Sequence, residues 1–152
     1  MKSQAKRIAI LSLPEAQELY SVPQLSPHEQ DYYFTLTEDE QAAVNRLDLP
    51  RNRIHLILML GYFKIKKVCL IYRWKDIVAD YHYIADSYFP DASRQNKNID
   101  RQTRSRLYTI VFDLTDYQRC NRSIEGDLQI QLERRAKYYI DESQLLSDAV
   151  IF

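Results

Sequence analysis

Glycine is nearly absent: the 152-residue chain has two, Gly61 and Gly126. A glycine-rich loop that cradles phosphates is therefore excluded. Cysteine also occurs twice, as Cys69 and Cys120, far apart and in no CxxC pattern. A lone pair makes no disulfide framework, so both are expected to be reduced and buried. The three histidines, His28, His55 and His82, fall at neither HExxH nor H-x-H spacing, so no metal or other cofactor is expected. Long apolar runs are missing too. The block from Ile54 to Phe63 covers about ten residues, whereas a membrane helix needs roughly 20. The N-terminal MKSQAKRIAIL has too short an apolar run for a good signal peptide. These absences point to a cytoplasmic chain with no membrane partner.

Tyrosine, by contrast, is abundant, with 12 residues, many in pairs such as Tyr32–Tyr33, Tyr81–Tyr83 and Tyr138–Tyr139. Such residues pack an apolar ring while the hydroxyl finds a polar partner; some could instead reach phosphates. Charge is balanced at a formal net of zero but is unevenly spread. Residues 51–75 carry seven basic groups and no acid, and residues 94–122 carry seven basic groups against three aspartates. The segment between them, 76–93, has four aspartates and no base. Basic blocks in a neutral chain suggest a local positive face, although a solvated mixed surface gives the same totals.

Helix starts recur along the chain. Ser12 with Glu15, Ser26 with Glu29 and Thr37 with Glu40 all have capping-box spacing. Pro50 opens a helix whose apolar positions exceed half its circumference, so it should be buried on most sides. Ile77, Val78, Tyr81, Ile84 and Ala85 follow helical spacing, and Pro90 ends that helix. PDASRQNKNID reads as an exposed loop. Thr103 is the expected cap of the next helix, with Leu107, Ile110, Val111 and Leu114 on one face. Leu128, Leu132 and Ala136 mark another helix, and Asp141 with Gln144 marks the last. IKKVCLIY reads as a short strand or a helix tail. The expected fold is all-α, with eight or so helices and two helix-turn-helix-like units, 38–47 with 51–63 and 74–88 with 104–114. It forms one domain over 1–152 or two subunits, 1–90 and 91–152. Each second helix begins in a basic block, as the N-terminal end of a DNA-reading helix does.

The ordered segments LSPHEQDYYFTLTEDEQAAVN, RNRIHLILMLGYFKIKK, DYHYIADSYFP, TRSRLYTIVFDLTDYQRCN and LERRAKYYIDESQLLSDAVIF resemble the N-terminal domain of the replicative transposases of the Tn-three family. The resemblance runs from about Leu11 to Phe152, and HLILMLGYFK and YIADSYFP are its most distinctive strings. It implies a helical module that helps recognise the terminal inverted repeats of a transposon. The partner implied is double-stranded DNA, with the remainder of a transposase as a second partner and no small-molecule substrate. The family's nuclease lies far downstream and its acidic triad has no match here, so no catalytic residue is expected. Asp113 and Asp116 read as helix-end charges. The family normally continues beyond this point, which implies an isolated domain or a reading frame left from a larger transposase.

The expected DNA contacts are Arg51, Asn52, Arg53, Lys64, Lys66, Lys67, Arg94, Lys97, Arg101, Thr103, Arg104 and Arg106. Base reading is expected to centre on residues 100–106, with Arg51, Asn52 and Arg53 in reserve and the lysine tail on phosphates. The competing expectation is a non-catalytic protein–protein or oligomerisation domain whose basic blocks are incidental.

Overall fold

The computed structural model describes residues 11–92 and 98–136. Among these residues the chain forms seven α-helices and no strand: α1 (Leu13–Tyr20), α2 (Pro27–Phe34), α3 (Glu38–Asn45), α4 (Pro50–Lys66), α5 (Trp74–Tyr88), α6 (Arg101–Thr115) and α7 (Arg122–Ala136). The fold is all-α. None of these helices is long and apolar enough to cross a membrane. The helix expected after Asp141 lies outside the described residues.

Local chemistry sets several helix starts. Ser26 accepts from the Glu29 backbone N–H while the Glu29 carboxylate accepts from the Ser26 N–H at 2.8 Å. Thr37 and Glu40 repeat this exchange at α3, and Ser12 and Glu15 do so at α1. The expected cap of α6 is corrected. Asp100, not Thr103, is the N-cap, and its carboxylate accepts from the Thr103 N–H at 2.6 Å. Asp accepts from the N3 position as readily as Thr, so the helix starts three residues earlier than Thr103 alone suggests.

Residues 17–118 form one compact unit, and α4 is its hub. Every α4 residue from Ile54 to Phe63 is buried. Helices α2, α3, α5 and α6 pack around it, α6 most extensively. Full burial of a Leu or Ile is worth about 1.5–3 kcal/mol, against about 1 kcal/mol for a cap, so this helix and not the capping boxes dominates stability. Gly61 permits the closest approach. A Cβ there would stand 2.5 Å from two ring atoms of Phe34 at the end of α2.

Beyond α4, residues 67–73 form neither a strand nor a continuation of the helix. Leu70 and Tyr72 turn into the core while Ile71 stays 81% exposed. Cys69 and Cys120 are both exposed, contrary to expectation; Cys69 falls on the outward side of this same alternation. Asp116 ends α6 in the left-handed region at φ 57°, as Lys67 ends α4.

Buried tyrosines join the helices through their hydroxyls. Tyr62 donates to Asp80 at 2.5 Å, and Gln30 donates to the other Asp80 oxygen at 2.7 Å, which links α2, α4 and α5. Tyr108 donates to the Leu70 carbonyl at 2.6 Å. Burial, and then the bond to Asp80, pushes the Tyr62 phenol far above its ordinary range, so it stays a neutral donor.

Residues 11–16 and 119–136 belong to a second unit. That unit includes α7, where the Asn121 side-chain oxygen accepts from the N–H groups of Ser123 and Ile124 at 3.0 Å. No residue of α7 is buried, and Leu128 and Ile130 are exposed.

Candidate nucleic-acid interface

Helix α4 begins with Pro50, which needs no N–H partner, and puts Arg51, Asn52 and Arg53 in its first turn. The three arginine and asparagine side chains are half-buried. Arg53 turns back to the carbonyl end of α3, donating to Leu47 O at 2.5 Å and Asn45 O at 3.4 Å. A guanidinium beside the last carbonyls of a helix satisfies orphan acceptors and complements the dipole. Arg53 is thus the clamp of the α3–α4 turn.

Arg51 faces another way. The Asp100 carboxyl is held below its ordinary range, first by the hydrogen bonds from Thr103 and also by the charge of Arg51. Burial raises the Tyr81 phenol, and Arg51 opposes that rise. The start of α4 therefore lies near the start of α6. Those two helices begin in separate basic blocks, and the fold brings the blocks together.

On α6, Arg101 and Arg106 are exposed, whereas Thr103 and Arg104 are half-buried. Arg104 lies in the second turn because Asp100 moves the start upstream. Its guanidinium sits over the Tyr72 ring, 5.8 Å from the centroid, a cation–π distance. Its Nε is buried and has no hydrogen-bond partner among the described residues. Tyr72 is held by His55, with Nδ1 2.7 Å from the phenol oxygen and the rings 7° from parallel. A cavity of about 210 Å³ opens here, lined by His55, Tyr72, Arg73, Trp74, Asn98 and Arg104 among others.

The lysines lie at the far end of α4, roughly 20 Å from its start at 1.5 Å rise per residue. Lys64 pairs with Glu40 at 3.0 Å and donates to Thr35 O at 3.3 Å. Lys66 donates to Glu18 O at 2.6 Å. Lys67 is exposed. Arg94 and Lys97 lie outside the described residues.

The expected contacts thus divide by place. Arg51, Asn52, Arg101 and Arg104 belong to the adjoining helix starts, Arg53 to a turn, and Lys64 and Lys66 to internal contacts. Sequence reasoning passed over Arg73, Trp74 and His55. The run YRWK, basic groups around the single tryptophan, was the available signal. Among the described residues no group of three or more His, Cys, Asp or Glu could hold a metal ion.

The family model described as a domain of unknown function (DUF4158) matches residues 10–152, and the chain belongs to that family. No curated protein and no solved structure matches it.

Proposed function

We propose that this DUF4158 chain is a non-catalytic module that binds double-stranded DNA and serves, in the cytoplasm, as the part of a Tn-three-type transposase that recognises terminal inverted repeats. The sequence resemblance supplies the partner. The observation that most supports it is the meeting of two basic helix starts, with Arg51 on α4 near Asp100 at the start of α6. Arg101 and Arg104 follow within the first turns of α6. Two helix N-termini with guanidinium groups suit a polyanion, and a protein that neutralises several phosphates binds with steep salt dependence.

A gel shift tests this reading. The duplex is cut from the ends of the element that encodes the chain, with a scrambled duplex as control. Tighter binding to the end duplex, with log K falling against log salt at about −0.9 per phosphate neutralised, is the expected result. Equal or absent binding to both duplexes would reject it. The competing reading, a protein–protein module, draws on α7, which leaves Leu128 and Ile130 exposed. Self-association that ignores DNA would favour it.

A further inference from the structure

We propose that the cavity between Tyr72, Arg73, Trp74, Asn98 and Arg104 is an anion seat that takes one phosphate group of the DNA backbone, so that Arg104 positions the duplex and does not read a base. This rests on the DNA-binding reading above and names the ligand group at that surface.

Four observations carry it. First, Arg104 brings a donor that no described residue uses. Its Nε is buried without a hydrogen-bond partner among the described residues, and a buried charged donor without an acceptor is costly. Second, Arg73 lines the same cavity, and among the described residues no carboxylate does. The aspartates at the two helix starts are already engaged: Asp100 accepts from Thr103 and Asp76 from the Arg73 backbone N–H. Third, the wall is neutral and fixed. The Tyr72 phenol is bonded to His55, and burial drives its ionisation far above the ordinary range. Fourth, the size suits a small anion. About 210 Å³ is several times the roughly 30 Å³ share of one water and below the roughly 300–1,000 Å³ of small-molecule sites. A stacked base is disfavoured because Tyr72 is only 7% exposed and Arg104 lies over its ring.

The test uses the full chain and two readouts. Trp74 is the only tryptophan and lines the cavity, so its fluorescence reports occupancy. Titration with inorganic phosphate should give a saturable change that sodium chloride at equal ionic strength does not. The change should vanish in Arg104→Gln and weaken in Arg73→Gln, whose exposed position makes it safe for folding. On DNA, Arg104→Gln should reduce affinity by the same factor for end and scrambled duplexes and flatten the salt slope by about 0.9. A fluorescence signal indifferent to phosphate overturns the seat, even if the wild-type chain binds DNA. A response to phosphate without binding to any duplex overturns the backbone source and the DNA reading together. A loss confined to the end duplex overturns the phosphate role in favour of base reading.

Discussion

Arg53 reaches back from the first turn of α4 and donates from Nε to the carbonyl oxygen of Leu47 at 2.5 Å. This contact ties the start of α4 to the end of α3, and it gives an internal role to a residue expected at the DNA. Truncation should therefore show in stability first. Arg53→Ala is expected to cost about 1.5–3 kcal/mol, the range for a hydrogen bond from a charged donor. Urea unfolding reads the cost. DNA affinity measured on the folded fraction should fall by much less than in Arg51→Ala; an equal fall would return Arg53 to the interface.

Lys64 follows the same logic at the other end of α4. It pairs with Glu40, whose side chain is 8% exposed while that of Lys64 is 27% exposed. Lys64→Met leaves a nearly buried carboxylate that still caps α3. The expected loss is about 1–2 kcal/mol, between a surface pair and a fully buried one. The salt slope of DNA binding should not change, and a slope flattened by about 0.9 would show that Lys64 meets a phosphate after all.

Gly61 is the test of helix packing. An added methyl would stand 2.5 Å from the Phe34 ring, and Phe34 is itself 1% exposed and has little room to move. Gly61→Ala gains helix propensity of up to about 1 kcal/mol but overpacks the α2–α4 contact by about 1–3 kcal/mol. A net loss is expected, visible as a lower thermal midpoint. Gly61→Ala combined with Phe34→Leu should recover part of it. A more stable single variant would mean that α2 can shift freely.

Asp100 gives a pH dependence of known sign. Its folded-state pKa is lowered, chiefly by the hydrogen bonds from Thr103. Its contribution is therefore present above the unfolded value, about 3.9, and is lost as pH falls through the lower folded value. Hydrogen exchange at the first turn of α6 should accelerate on acidification beyond its intrinsic trend. Asp100→Asn, which caps comparably, should remove that extra dependence at this turn. If both proteins respond alike, another group governs the fraying of α6.

Much of the fold was legible because its signals are local. Ser26 with Glu29 and Thr37 with Glu40 interact across three residues, so spacing alone placed α2 and α3. The apolar block of α4 foretold its burial because ten consecutive buried positions leave no polar face. The start of α6 was misplaced by a choice between two good caps, Asp100 and Thr103, that sequence spacing does not resolve. The candidate site was less legible. Arg51, Arg53, Lys64 and Arg104 are alike as charges in a basic block, and pattern cannot rank them.

The sequence by itself determined the all-α class, the helix that must be buried and the two basic blocks, since each depends on residues within a turn or two of one another. Only the tertiary structure decided how each cation is used. Lys66 finds its acceptor at Glu18, 48 residues away, Lys64 finds Glu40 across 24, and Arg104 settles on Tyr72 from the far side of α5 in sequence. A long charged side chain takes whichever acceptor or ring the packing brings within reach, and that proximity is created by the docking of α2, α3, α5 and α6 on α4.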